Sequence, residues 1–117
     1  MQKFLVLYMA PQAELEEWMK QDASVRKADE DNMMAKWDQW MAKQGAKLGG
    51  MTAGAGKTKR VTSEGIADVK NDVMLASMIE SESHAVLAQA FEGHPHFGIT
   101  GGWIDIMPLN ELPGMGS

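Results

Sequence analysis

The two ends of the chain carry runs of apolar residues that do not alternate with polar ones. Lys3 to Met9 reads Lys-Phe-Leu-Val-Leu-Tyr-Met, and Gly102 to Met107 reads Gly-Trp-Ile-Asp-Ile-Met. Side chains of a strand point alternately to its two faces, so a sheet covered on one side only alternates apolar with polar residues. Both runs therefore predict strands that are apolar on both faces, and Asp72 to Glu80 repeats the pattern.

The residues between these strands have enough helical pattern to cover one face of a sheet. A short helix is predicted from Pro11 to about Lys20, since proline suits the first turn. A longer helix follows Ser24, and Gly45 is placed to end it. Its apolar stripe is predicted at spacings of three and four: Met33, Met34, Trp37, Trp40, Met41 and Gln44. A third helix is capped within Ser81 to Ser83, and one of its faces carries Val86, Leu87, Ala90 and Phe91.

A glycine-rich segment precedes the strand at Asp72 to Glu80. Within it, Lys47 to Met51 and Lys57 to Thr62 are predicted strands, joined as a loose hairpin through Thr52 to Gly56. A second turn is predicted around Glu64-Gly65. Although Gly54-Ala-Gly56-Lys57-Thr58 looks like part of a phosphate-binding loop, its first glycine is missing at Met51 and a strand follows instead of a helix.

The order strand, helix, two strands, helix, strand predicts an α+β fold. It is the ferredoxin-like βαββαβ arrangement, an antiparallel sheet with the helices on one face. Because the other face is also apolar, we expect two sheets to pack face to face as a dimeric α+β barrel, which makes a second copy the expected partner. Trp103, which points opposite to Ile104 and Ile106, is expected on the dimer face.

Composition narrows the classes of function. A chain of 117 residues predicts one domain spanning 1–117. A net charge of −5 argues against nonspecific binding of nucleic acid or anionic membranes. The sequence contains no cysteine, which excludes disulfides and thiolate metal sites, and we predict no metal or cofactor. With no signal-peptide pattern and no membrane-spanning apolar run, a cytoplasmic location is expected.

The segment His94-Pro95-His96 carries the best candidates for chemistry, since it joins the last helix to the last strand. Histidine titrates near neutral pH, so His96 is predicted to transfer protons, with Asp68 as its orienting or charge partner. Ligand-binding roles are predicted for His94 and for Trp37 and Trp40, whose indoles would form an apolar wall. Ordinary packing in the loop and core is the alternative for all four aromatic residues.

Several short motifs together resemble the YCII-related family over nearly the whole chain. They are Gly45-Ala-Lys-Leu-Gly-Gly50, Thr58-Lys-Arg-Val-Thr62, Glu64-Gly-Ile-Ala-Asp68, Pro95-His96-Phe97 and Gly101-Gly-Trp-Ile-Asp-Ile-Met-Pro108. Some members carry Asp-Gly-Pro-Phe after the hairpin, where this chain has Glu64-Gly-Ile-Ala67. The likeness is to a branch that Gly65, Asp68, Pro95 and His96 fit. The resemblance implies a dimeric α+β barrel, and a cleft lined by His and Asp.

Three functions remain open at this point. The first is a homodimer that binds a small molecule in a cleft between helices and sheet, with His-based acid–base chemistry. The second is a non-enzymatic interaction or regulatory module built on the same dimer. The third is cofactor-free oxygenase chemistry, which rests on fold analogy alone.

Overall fold

A computed structural model of the chain describes residues 1–44 and 50–114. The chain is α+β, with a four-stranded antiparallel sheet and three α-helices in the described part. The elements are β1 (Gln2–Met9), α1 (Gln12–Met19), α2 (Ala23–Gln44), β2 (Gly50–Gly54), β3 (Thr58–Thr62), β4 (Gly65–Val69), β5 (Val73–Ser81), α3 (His84–Ala90), a 3-10 turn (Pro95–Gly98) and β6 (Trp103–Pro108). The sheet order is β2-β5-β1-β6, and β3 and β4 form a separate two-stranded hairpin.

The predicted strands at both ends and the three predicted helices are confirmed within a few residues. Pro11 directly precedes α1, and the Ser83 hydroxyl accepts the Val86 N–H at 3.1 Å to cap α3. The predicted helix end at Gly45 and the predicted strand start at Lys47 lie outside the described residues.

Four of the six residues predicted for the apolar stripe of α2 are at least half-buried, and the other two are exposed. Trp40 is buried, and Met33, Trp37 and Gln44 are half-buried. Met34 and Met41 are exposed. The buried positions are spaced by four, three and four residues, whereas Met34 and Met41 each lie one position further round the helix.

The predicted pairing of the glycine-rich strands is wrong. Thr52 does not begin a connection but lies inside β2, which pairs with β5 and places Met51 opposite Met78. The hairpin is formed instead by β3 and β4, across the turn predicted at Glu64-Gly65. Gly65 has a φ of 136°, which glycine adopts at little cost, so the tight turn falls there rather than earlier.

One face of the sheet is covered by helices and forms the core. Phe4, Val6 and Tyr8 of β1 are at most 1% exposed. They pack with Ile79 of β5 and with side chains of α2 and α3. The helical residues in this core are Trp40 and Leu87, together with Phe91 at the end of α3.

The opposite face of the sheet is apolar, and residues 1–44 and 50–114 place no comparable cover on it. Cross-strand register places Met78 and Met107 opposite Leu5, and Ala76 and Asp105 opposite Leu7. We call this surface the open face: Leu5, Leu7, Met9, Met51, Ala53, Ala76, Met78, Trp103, Asp105 and Met107. All three of its β1 residues are only half-buried, and Met51, Met78 and Met107 are exposed.

Candidate functional site

The two histidines after α3 are held by one short turn. His94 precedes the 3-10 turn Pro95–Gly98, and its Nδ1 accepts the backbone N–H of His96 at 2.9 Å. Pro95 has no N–H and a fixed φ, so it starts this turn without leaving a donor unpaired. Both histidines are 1% exposed. The sequence His94-Pro95-His96 therefore builds a rigid turn that points both rings inward.

The His94 ring lies among aromatic side chains from three parts of the chain. Its centroid is 4.3 Å from that of Trp40 and 4.4 Å from that of Trp37, both edge-on. Phe91 stacks on it at 5.4 Å, and Tyr8 lies 5.6 Å away. Together with His96, which packs edge-on against Tyr8, these residues form what we call the aromatic cluster: Tyr8, Trp37, Trp40, Phe91, His94 and His96.

Burial sets the charge state of His94. Loss of hydration, with a smaller contribution from the charge of His96, lowers the pKa of His94 to about 4. The ring is therefore neutral at pH 7. Since Nδ1 accepts a hydrogen bond, the hydrogen-bond network assigns the proton of this neutral ring to Nε2.

Two buried N–H groups of the cluster have no acceptor within residues 1–44 and 50–114. They are Nε2 of His94 and Nε1 of Trp40. Most buried donors in folded proteins find a partner, so two in one cluster single this region out. The sequence predicted ligand-binding roles for Trp40 and His94. Neither spacing nor composition could show that both would have a buried N–H group without an acceptor among the described residues.

His96 is positioned differently from His94. Its Nε2 lies 2.7 Å from the carbonyl oxygen of Met9 and donates to it. Only Nδ1 can then accept a proton while the hydrogen bond to Met9 is kept. A proton-transfer role for His96, as predicted from the sequence, would have to use that nitrogen.

Asp68 is not brought to the histidines within one chain. It lies on β4, its side chain is 83% exposed, and it pairs with Lys59 at 2.8 Å. Across the described ranges, Asp68 forms no hydrogen bond or ion pair with His96. The acid–base partnership predicted between these two residues is absent from the single chain.

Sequence reasoning did not include Tyr8 in the site. Its hydroxyl is 2.9 Å from that of Ser77, which is 2.7 Å from that of Thr52. Burial raises the pKa of Tyr8, so the phenol stays protonated at neutral pH. Two signals could have found this chain of hydroxyls: Tyr8 is the one tyrosine of the sequence, and Ser77 is polar between apolar neighbours in β5.

A shallow depression of about 360 Å³ adjoins the cluster at Phe91. Its wall is mainly apolar: Ala88, Phe91, Glu92, Gly93, Phe97, Ile104 and Ile106. Among the residues described, no group of three or more His, Asp or Glu side chains is arranged to hold a metal ion. In that same part of the chain, no helix combines the length and apolarity needed to cross a membrane.

In comparisons with known proteins, no family model and no curated protein matches the chain. Any function has to be inferred from the geometry of the site itself.

Proposed function

We propose that the protein is a homodimeric α+β barrel of ferredoxin-like topology that binds a small organic molecule at the boundary between helices and sheet. The observation that carries this proposal is the aromatic cluster, in which His94 and His96 are buried beside aromatic rings and an apolar depression. Buried titratable groups next to a concave apolar surface are typical of binding sites. Proton transfer by His96 through Nδ1 is the chemistry that we assign to it.

Topology supports the barrel part of the proposal. If the β3–β4 hairpin is treated as an insertion, the remaining four strands follow the order second, third, first, fourth. An antiparallel sheet in that order is the ferredoxin-like arrangement, and the motifs shared with the YCII-related family favour the same fold. Membership of that family is part of the proposal.

The open face supports the homodimer. Nine of its ten residues are apolar and Asp105 is charged, while Lys3 and Glu80 continue the same face at one end of β1 and β5. An apolar patch formed by four adjacent strands is large for the surface of a monomer, and a second sheet of the same kind would cover it. Asp68 could partner a histidine only if the hairpin reached a second copy, since within one chain it is exposed and paired with Lys59.

A thermal-shift screen of small metabolites tests the binding part of the proposal directly. Ligands of the cluster should raise the melting temperature of the wild-type protein. The same ligands should stabilise the His96→Ala variant less, because this change removes Nδ1, the nitrogen to which we assign proton transfer. If His96→Ala left the affinity of every hit and any detected turnover unchanged, the role assigned to His96 would be wrong.

His84 supplies the matched control. It is also a histidine whose Nε2 contacts a backbone carbonyl, that of Ile106 at 2.7 Å, but it is not part of the cluster. His84→Ala should therefore leave ligand stabilisation unchanged. A screen without hits would instead favour a non-enzymatic interaction module on the same fold.

A further inference from the structure

The indole N–H groups of this chain differ in whether they have an acceptor. Trp18 donates to a carboxylate oxygen of Asp29 at 3.0 Å, and Trp103 donates to Asp105 at 3.3 Å. Both of these indoles lie at the surface, where water could also have served. Trp40 is more than nine-tenths buried, yet it has no acceptor among the described residues. Of these three indoles, the one without a described acceptor is the most deeply buried, so its unmade hydrogen bond costs most.

His94, which contacts Trp40, also has a buried N–H group without an acceptor among the described residues. Its Nδ1 is used by the His96 backbone, so its Nε2 is left as a donor, and that donor has no acceptor in the described ranges. The ring centroids of His94 and Trp40 are 4.3 Å apart. The two rings are therefore in contact, and a carbonyl oxygen can accept from two donors because it has two lone pairs.

The surroundings narrow the kind of acceptor. No Lys or Arg among the described residues is buried, so a buried carboxylate or phosphate would have no buried cation beside it. Burying an unpaired charge is far more costly than burying a neutral polar group. The flanking rings of Trp37 and Phe91 are flat and apolar, which favours a planar molecule.

We propose that His94 Nε2–H and Trp40 Nε1–H together bind the carbonyl oxygen of a compact, planar, uncharged molecule such as an aryl ketone. This inference rests on the proposed small-molecule function and names the ligand class of the same site. Two fixed donors on one carbonyl oxygen would also stabilise negative charge that develops there. Trp37, which contacts His94 edge-on, is only half-buried and is thus the more exposed of the two tryptophans in the cluster.

The test is a pair of isosteric probes observed by NMR of the ¹⁵N-labelled protein. Acetophenone carries the carbonyl oxygen, and α-methylstyrene has a CH₂ group in its place. Acetophenone should shift the Trp40 indole N–H resonance and the His94 Nε2–H resonance, whereas α-methylstyrene should shift neither in the manner of a new hydrogen bond. The resonances of Trp18 and Trp103 are internal controls and should not move.

Substitutions provide an independent arm. Trp40→Phe keeps an aromatic ring but removes the N–H, and it should weaken acetophenone binding about fivefold, the effect of losing one buried hydrogen bond. Trp18→Phe removes a surface indole N–H that belongs to neither the aromatic cluster nor the open face, and it should leave the affinity unchanged. The probe pair on the wild-type protein needs no variant, so it decides the question even if Trp40→Phe folds poorly.

Four results would overturn the inference. Equal effects of the two probes would mean that shape alone is recognised. No effect of either would mean that the donors are satisfied by ring faces or by water. Tighter binding of benzoate than of acetophenone would contradict an uncharged ligand. Metabolites that bind in the thermal-shift screen while acetophenone does not would overturn this inference alone, whereas a screen without hits would count against the proposed function.

Discussion

The two faces of the central sheet are both strongly apolar but differ in how far they are covered. Along β1, Phe4, Val6 and Tyr8 are buried, while the interleaved Leu5 and Leu7 are only half-buried. Both sets are strongly apolar, so hydrophobicity does not distinguish them. The difference lies in what covers them, since α2 and α3 supply side chains to one face only. A strand that is apolar on both sides therefore indicates that both faces need to be covered, and the described helices of one chain cover only one of them.

The open face also differs from the core in the type of apolar residue. Methionines occupy it on four adjacent strands, at Met9, Met51, Met78 and Met107. Methionine is flexible and adapts to irregular contacts, whereas the core side relies on rigid aromatic rings. This contrast fits a face that meets another molecule rather than one packed once during folding.

The largest effect should come from truncating neighbouring residues on the two faces. Phe4→Ala should lower the free energy of unfolding by about 4 kcal/mol, since it leaves a cavity in the core. Leu5→Ala, one residue away, should cost only about 1 kcal/mol within one chain. Urea unfolding at several protein concentrations measures both. The loss for Phe4→Ala should not depend on concentration, and that for Leu5→Ala should. Equal losses at every concentration would contradict a difference in cover.

A charge on the open face should break the proposed dimer and leave the fold intact. Leu7→Glu places a carboxylate at the centre of the surface, where burial in an interface leaves it unpaired. The dimer dissociation constant should rise about a hundredfold, or about 3 kcal/mol, measured by sedimentation equilibrium. Val25→Glu adds the same charge to an exposed position of α2 and should have no effect. A variant that kept the wild-type assembly would place the interface elsewhere.

The covered face should show a pH dependence that originates from His94. Its pKa is about 4 in the folded protein, against 6.5 for a free histidine, so between these values the unfolded chain binds more protons. The stabilising contribution is therefore complete above about pH 6.5 and is lost as the pH falls towards 4. From pH 7 to pH 5, the loss from this group should be about 2 kcal/mol. Urea unfolding at the two pH values measures it.

Histidine variants isolate that contribution from other titrating groups. His94→Phe should remove most of the pH-dependent loss, whereas His84→Phe should retain it. A His94→Phe protein that lost as much stability as the wild type between pH 7 and pH 5 would show that His94 is not buried as described.

The hairpin of β3 and β4 should show the smallest effect, because all its strand residues except Thr58 and Val69 are exposed. Lys59 and Asp68 form an ion pair with both side chains largely exposed. Asp68→Asn should change the free energy of unfolding by less than about 1 kcal/mol, and Lys59→Gln should do the same. A clearly larger loss for Asp68→Asn alone, in thermal unfolding, would mean that Asp68 meets a second partner beyond Lys59.

The main elements of the fold could be predicted because each has a strong local signal. The apolar runs gave β1, β5 and β6, and the three-and-four spacing gave α2. The hairpin pairing could not be predicted, since Gly50–Gly54 contains no apolar run and pairs through its backbone with β5, far away in sequence. Short glycine-rich strands take their partners from the tertiary fold rather than from local preference.

The residues of the candidate site could be predicted from the sequence, but the role of each residue could not. The position of His94-Pro95-His96 before the last strand marked it, and Trp37 and Trp40 fell on the buried side of α2 as expected. Which histidine nitrogen is free depends on a backbone N–H and on a carbonyl 87 residues away, and no spacing rule contains those contacts. The catalytic assignment of His96 and Asp68 stays a prediction.

The most direct test of a covered open face is the solvent exposure of methionine methyl groups in solution. In a single chain, Met51 of the open face and Met34 of α2 are about equally exposed, at 69% and 64%. Methyl NMR with a soluble paramagnetic probe should therefore broaden the Met34 signal strongly and leave that of Met51 protected, as a second copy shields it. Equal broadening of the two signals at high protein concentration would contradict the dimer.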